Sequence, residues 1–359
     1  PPRSTLFPYT TLFRSYSIFA NAELPYPTIT LSDGQNVLVD QAGYQKFRAW
    51  PNRQDREKVF QAFFGKLNEF RRSMGATLNA QIKKDLFYSR ARQYPSCLAA
   101  SLDENNIPEE VYHSLIRNVN DNLPTFHRYL KLRQNMLGVD QLKYSDLYVP
   151  VVKDVKLEYS IEEAQKMILQ ALKPLGDSYG QVIQRAFQER WVDVYPTTGK
   201  RSGAYCSGDA YDVHPYMLLN YNGQYNDVST FAHELGHAMH SYLSNTTQPY
   251  PTAQYSIFVA EVASTLNEAL LIHHQLQQIK DDDIRLSLLM NHLDGIKGTV
   301  FRQTQFAEFE LALHSKIEKG EALTGDVLSQ LYGDIVSKYY GNDKGVCLVD
   351  DLYGIEWAF

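Results

Sequence analysis

The sequence predicts a mainly α-helical fold with one small β-sheet, and three observations support this. Apolar residues recur at the i, i+3, i+4 spacing of a buried helix face, most clearly over residues 55–72. Helix start and stop signals bound many such segments, including a capping box at Ser160–Glu163 and a glycine stop at Gly138. β-like segments occur mainly at residues 203–208 and 215–221, just before a histidine cluster.

The helices are expected in a continuous series along the chain. Asp227 is expected to cap the helix that carries the histidine cluster, and Thr324 or Asp326 the last one. The other expected helices cover residues 55–72, 76–92, 106–120, 127–138, 161–172, 179–189, 256–279 and 283–319.

Composition excludes several classes of function. The net charge is −6, from 35 basic and 41 acidic residues, so neither a nucleic-acid nor an anionic-membrane footprint is expected. No apolar run approaches the roughly 18 residues of a membrane span. Three widely separated cysteines without a C-x-x-C motif favour a reducing compartment, and a cytoplasmic location is expected.

The segment FAHELGHAMHSYL contains the motif H-E-x-x-H at residues 233–237. On a helix, His233 and His237 lie on one face and can bind one ion, for which zinc is the usual choice. Glu234 can then take a proton from a water that the metal polarises. The alternative is an amphipathic helix that carries these five residues by chance, but the apolar flanks indicate a buried helix whose polar groups need partners.

A third ligand is expected from the following helix. Glu261 lies in an apolar segment where an unpaired carboxylate would be costly, and Glu268 lies on the same helix face. Glu268 is interpreted as a hydrogen-bond partner of a ligand histidine, the alternative being an ordinary surface acid. His240 is interpreted as a supporting or hydrogen-bonded core histidine, and His214 either faces the cleft or fills a turn.

HELGHAMHS and FVAEVASTLNEALL closely resemble oligoendopeptidase F, within the thimet-oligopeptidase-like zinc metallopeptidases. The resemblance covers nearly everything from Ala22 to Trp357. Further segments that carry it, in family order, are ELPYPTIT, RYLKLRQNMLGVDQL, SDLYVPVV, KRSGAYCSG, PYMLLNYNG, FRQTQFAEFE and GIEW.

The resemblance implies a multi-helix, zincin-type peptidase shell with a deep substrate channel and one Zn²⁺ per chain at its floor. The family's two histidine ligands and its glutamate ligand map to His233, His237 and Glu261, and its catalytic glutamate maps to Glu234. The small sheet would contact an extended peptide through the main chain of Gly203, Ala204 and Tyr205.

The function expected from these residues is zinc-dependent hydrolysis of internal bonds in short oligopeptides. One alternative is a peptide-binding remnant without catalysis. Another is a related zinc carboxypeptidase, which would need a basic group such as Arg302 to hold a free C-terminus.

Three regions are expected along the chain. Residues 1–15 repeat TLF and are interpreted as a non-native or disordered scar. Residues 16–193 are expected to form part of a helical lobe, and residues 194–359 a C-terminally truncated catalytic region. The resemblance places oxyanion-stabilising His and Tyr residues after the GIEW segment, so this chain is expected to bind zinc with weak or no activity.

Overall fold

The computed structural model describes residues 16, 18–152, 158–201 and 203–359. The interpretation of residues 1–15 therefore lies outside the described residues. The described residues form two compact units: unit 1 comprises those up to residue 151 together with residues 294–359, and unit 2 comprises those between residues 152 and 293. This division differs from the expected boundary between residues 193 and 194, because the last helices pack against the first ones. That boundary stays a prediction.

The helical prediction is confirmed over most of the described chain. The α-helices of unit 1 are α1 (Gln41–Phe47), α2 (Arg53–Glu69), α3 (Arg71–Ala91), α4 (Cys97–Asp103), α5 (Glu109–Asp121), α6 (Leu123–Leu137), α12 (Arg302–Glu318) and α13 (Gly325–Tyr340). Those of unit 2 are α7 (Ile161–Ala171), α8 (Asp177–Gln188), α9 (Tyr225–Thr247) and α10 (Ala260–Gln278), and α11 (Asp282–Ile296) spans the boundary.

The strands form two small sheets. In unit 1, β1 (Thr28–Thr30) and β2 (Asn36–Leu38) pair antiparallel. In unit 2, β3 (Val192–Asp193), β4 (Tyr205–Ser207) and β5 (Tyr216–Leu218) follow the order β3-β5-β4. The β4–β5 pair is antiparallel, whereas β3 runs parallel to β5. The expected small sheet before the histidine-rich helix is thus confirmed, with β4 at its edge.

The core of unit 1 is aromatic. The predicted stripe of α2 is buried, and Phe63 and Phe64 contact the ring of Tyr44 at centroid distances of 4.4 and 5.2 Å. Phe60 stacks on Tyr353 at 4.0 Å, which joins the N-terminal helices to the end of the chain. These long-range contacts explain why residues 294–359 belong to unit 1.

The core of unit 2 surrounds α9. Val228, Phe231 and Leu235 repeat at i, i+3 and i+7, and each is almost fully buried. Their partners come from α7, α8 and the sheet, including the buried Trp191. Because apolar partners cover most of this helix, its polar side chains open on the remaining side.

Local signals give mixed outcomes. The Ser160–Glu163 capping box is formed, Gly138 ends α6 with φ 63°, and Thr324 caps α13. The prediction that Asp227 caps α9 is wrong: Gln224 is the N-cap, and the Asp227 carboxylate accepts hydrogen bonds from the Gln224 and Asn222 amides. Asp227 therefore bonds the N-cap amide and the amide two residues before it, whereas a cap side chain would bond amides inside the first turn. In the described part of the chain, no helix combines the length and apolarity needed to cross a bilayer.

Candidate metal centre

Two long helices of unit 2, α9 and α10, run antiparallel and bring the expected metal-binding residues together. His237 lies beside Glu261 near the start of α10, and His233 lies beside Glu268 two turns later. The two histidines share one face of α9 because they are four residues apart. Their rings meet edge to face with centroids 4.8 Å apart.

Three side-chain atoms converge at this point. The Nε2 atoms of His233 and His237 lie 3.1 Å apart, and Glu261 Oε2 lies 3.3 and 3.4 Å from them. Zinc bonds of about 2.0–2.2 Å in a tetrahedral site separate ligand atoms by about 3.3–3.6 Å. Two imidazoles and one carboxylate also match a catalytic zinc donor set with one position open. The residues therefore fit a zinc ion.

Glu268 lies on the far side of one histidine. Its Oε1 is 3.5 Å from Nδ1 of His233, the ring nitrogen that points away from the other two donors. Burial lowers the pKa of His233, but the hydrogen bond and charge of Glu268, together with the charges of Glu234 and Glu261, raise it overall. Burial lowers the pKa of His237. A carboxylate in this place orients a ligand imidazole and increases its basicity.

Glu234 is the one acid that is buried among the described residues of unit 2. Only 6% of its surface is exposed, and its Oε2 has no hydrogen-bond partner among the residues that the structure describes. Burial raises its pKa. A buried carboxylate with a free oxygen and a raised pKa is suited to accept a proton near neutral pH.

One argument used to select Glu261 is wrong. Its side chain is 64% exposed, and the neighbouring Val262 is 63% exposed, so the acid does not lie in a buried apolar segment. The side chains of Glu261 and Val262 are open to solvent although Ala263, in the same first turn of α10, lies against α9 at Gly236. The selection of Glu261 is supported instead by its proximity to the two histidines and by the family resemblance.

The remaining predicted histidines lie in aromatic surroundings. His240 stacks on Tyr255 with centroids 3.6 Å apart, and its buried Nδ1 has no partner within the described ranges. Burial lowers the pKa of His240. His214 stacks on Trp191 at 4.8 Å, and its Nδ1 contacts the carbonyl of Pro215 at 2.8 Å. His214 was expected either to face the cleft or to fill a turn, and this contact favours the turn. A role of His214 in substrate binding stays a prediction.

The three predicted peptide contacts lie at the start of β4. Tyr205 pairs with Leu218 and is 43% exposed, whereas Ala204 packs partly against the core. Gly203 has φ +85°, and its carbonyl accepts a hydrogen bond from Asn220 at 2.7 Å. The outer edge of β4 is suited to pair with an extended chain.

Sequence reasoning missed the polar residues that join the helices. Asn267 is fully buried in α10 and donates to the carbonyl of Ala232 at 3.0 Å, while Tyr179 of α8 donates to Asn267 Oδ1 at 3.1 Å. Ser264, also fully buried, donates to Glu261 Oε2 at 2.7 Å. An asparagine in the middle of an otherwise helical segment was the available signal, since it disfavours helix unless it has a tertiary partner.

Arg302, considered above as a binder of free peptide C-termini, has partners within unit 1. Its Nη2 lies 2.8 Å from Glu356 Oε1, and its Nη1 donates to the Tyr144 hydroxyl at 2.7 Å. Both partners are buried. The arginine is therefore engaged in a buried network, which removes the residue on which the carboxypeptidase alternative relied.

A helical fold with an H-E-x-x-H helix facing an acid from the next helix defines the class of thermolysin-like metallopeptidase sites. The profile of "Peptidase family M3" matches residues 47–348, so the chain belongs to this family. It is 42% identical over 344 residues to oligopeptidase PepF of Bacillus subtilis (strain 168), and the match covers 96% of this chain and 51% of the relative.

Solved structures agree with this assignment. A chain from Chlamydophila abortus superposes with a TM-score of 0.86 and 37% identity, covering 98% of this chain and 58% of its own. Oligoendopeptidase-F from Enterococcus faecium gives a TM-score of 0.73 and 34% identity, with 97% and 55% covered. The resemblance and the fold class are thus confirmed. The chain spans about half the length of the curated relatives it matches.

Proposed function

We propose that this chain carries the zinc centre of an endopeptidase that hydrolyses internal bonds of short oligopeptides. His233, His237 and Glu261 hold one zinc ion, and Glu268 holds the His233 ring in place. The observation that carries the proposal is the convergence of three donor atoms within 3.1–3.4 Å of one another, beside a buried acid. Membership of peptidase family M3 supports peptide substrates.

Zinc at such a donor set supplies Lewis-acid activation of a water molecule and of the scissile carbonyl. Glu234 accepts the proton of the attacking water on its free Oε2 and passes it to the leaving amine. Burial raises the pKa of Glu234, which favours its holding the proton between the two transfers. The edge of β4, with Gly203, Ala204 and Tyr205, holds the peptide in an extended form through main-chain hydrogen bonds.

Metal analysis and a peptide assay test this proposal. The chain is expected to bind one zinc ion, and Glu234→Gln is expected to retain that zinc while losing about 10²-fold or more in cleavage. The substrate is an internally quenched peptide blocked at both ends, which an exopeptidase cannot use. His237→Ala is expected to lose the zinc itself. A Glu234→Gln variant that cleaves as fast as the parent would contradict the assignment of the base.

Zinc stoichiometry is the first measurement, because the chain spans about half the length of the relatives. A parent chain without zinc after dialysis against micromolar zinc would contradict the ligand assignment regardless of turnover. Weak cleavage by the parent chain is expected, so the decisive case is a longer form of the protein: if it binds zinc but does not cleave the blocked peptide, the non-catalytic peptide binder is favoured.

A further inference from the structure

The distance between α9 and α10 is set at a single close contact inside the metal-binding motif. Gly236 faces Ser264 at this point. A β-carbon built on Gly236 would lie 2.5 Å from Ser264 Cα, 2.6 Å from its amide nitrogen and 2.7 Å from the carbonyl carbon of Ala263. These are main-chain atoms, so no side-chain rotation relieves the contact. Any larger residue must move one helix away from the other.

This contact lies directly between the candidate ligands. Gly236 immediately precedes His237, and Ser264 lies three residues after Glu261 on the same face of α10. The Ser264 hydroxyl donates to Glu261 Oε2 at 2.7 Å, the same oxygen that lies 3.3 and 3.4 Å from the histidine nitrogens. The closest approach of the two helices and the ligand carboxylate are therefore joined by one short side chain.

Two further contacts fix how the helices are aligned along their length. One turn beyond Ser264, the Asn267 amide donates to the carbonyl of Ala232, and the Glu268 carboxylate approaches Nδ1 of His233. The hydrogen bond from Asn267 to Ala232 is buried and shielded from solvent, whereas the bond from the buried Ser264 hydroxyl to Glu261 is partly exposed. A change in helix separation at Gly236 would disturb all of these contacts at once.

We infer that Gly236 is a positioning residue for the metal centre: by admitting the main chain of Ser264, it brings Glu261 within reach of His233 and His237. The inference rests on the proposed function. The residue acts on the ion only through the ligands. A glycine inside a helix is unfavourable relative to alanine, so its presence here is explained by the close approach that it permits.

Gly236→Ala is the decisive variant, and the chain offers a matched control. A β-carbon built on Gly180, in α8 of the same unit, would lie more than 4 Å from every described heavy atom outside the local backbone of its own helix. The measurements are the zinc dissociation constant by chelator competition and the visible spectrum of the Co²⁺-loaded chain. We expect Gly236→Ala to weaken zinc binding about 10- to 100-fold, the usual cost of disturbing groups that orient ligands, with an altered Co²⁺ spectrum. Gly180→Ala is expected to match the parent in both.

A second variant covers the case in which Gly236→Ala fails to fold, as judged by circular dichroism. Ser264→Ala adds no atom at the contact and removes only the hydroxyl that holds Glu261. It is expected to weaken zinc binding about tenfold and to change the Co²⁺ spectrum. Parent-like affinity and spectrum in Ser264→Ala and in a folded Gly236→Ala would overturn the inference while leaving the proposed function intact. Absence of zinc binding by the parent chain would overturn both.

Discussion

Of the four acidic side chains that are buried among the described residues, three lie in unit 1 and one, Glu234, lies in unit 2. Each acid of unit 1 has several partners. Asp146 lies 2.7 Å from the guanidinium groups of both Arg53 and Arg56. The Asp55 carboxylate accepts the Ser32 amide N–H across both of its oxygens and also accepts the Ser32 hydroxyl, and Glu356 is held by Arg302 and two tyrosine hydroxyls. In contrast, Oε2 of Glu234 has no partner within the described ranges.

The pKa values follow this difference. Burial raises the pKa of Asp146, but hydrogen bonds from its two arginines outweigh burial and lower it overall. Burial raises the pKa of Glu234, and the opposing influence of His233 does not compensate. A buried charge without a partner is costly, so it persists where it serves another purpose. Unit 1 uses its buried acids to hold helices together, whereas unit 2 keeps one available beside three convergent donors.

Removal of the Asp146 carboxylate should have the largest effect on stability. Asp146→Ala leaves Arg56, which is 4% exposed, and Arg53 without their shared anion. We expect a loss of about 3–5 kcal/mol in the free energy of unfolding, measured by urea denaturation. The control is Glu69→Ala, which breaks an exposed pair with Lys66 and should cost less than about 1 kcal/mol. Equal losses would show that burial does not distinguish the two pairs.

Zinc should stabilise unit 2 through the convergent donors. At a free zinc concentration 100-fold above the dissociation constant, we expect a gain of about 2.7 kcal/mol, seen as a higher unfolding temperature that EDTA reverses. His237→Ala should abolish this gain. The matched control is His292, an exposed histidine of the same unit: His292→Ala should keep the full gain in stability from zinc. A gain that survives in His237→Ala would place the zinc elsewhere.

Glu234→Gln should affect stability in the opposite sense from changes to the acids of unit 1. The amide has the same shape but no charge, so the cost of burying an uncompensated carboxylate disappears. We expect the free energy of unfolding at pH 7 to stay the same or to rise by up to about 1 kcal/mol, since the amide still lacks a partner. Glu356→Gln, compared in the same urea titration, should lower it. A clear loss in Glu234→Gln would mean that this acid is structural.

The smallest effect concerns Asp85 and His314 of unit 1, which lie 3.5 Å apart. Burial lowers the pKa of His314, but its bond to Asp85 raises it overall above 6.5; burial raises the pKa of Asp85, but His314 and Lys84 lower it overall below 3.8. The histidine's contribution is complete below pH 6.5 and is lost as pH rises through its raised pKa. The contribution of Asp85 is present above pH 3.8 and is lost as pH falls through its lowered pKa.

The stability difference between the parent and His314→Gln should therefore be largest between about pH 4 and 6.5. We expect less than about 1 kcal/mol, because both side chains are partly exposed. Urea denaturation across this pH range measures it. A difference that grows above pH 8 would contradict the assigned direction of the His314 shift.

Local patterns predicted the fold well where helix formation is a local matter. The stripe of α2, the capping box of α7 and the glycine stop of α6 all lie where the sequence indicated. The error at Asp227 concerned three residues, because an acid can satisfy free amides either from the cap or from the first turn. The pairing of residues 294–359 with the N-terminal helices could not be predicted, since it depends on contacts between segments far apart in sequence.

The features of the candidate site likewise divide into those that local sequence predicts and those that depend on contacts between helices. The sequence by itself determined that His233 and His237 share a face with Glu234 beside them, because four residues make about one turn of a helix. Only the tertiary structure decided that Glu261 and Glu268 meet those histidines, that Glu261 is exposed, and that Asn267 and Ser264 join the two helices. The reason is physical: helix separation and alignment depend on close packing at Gly236, which residue spacing within either helix does not encode.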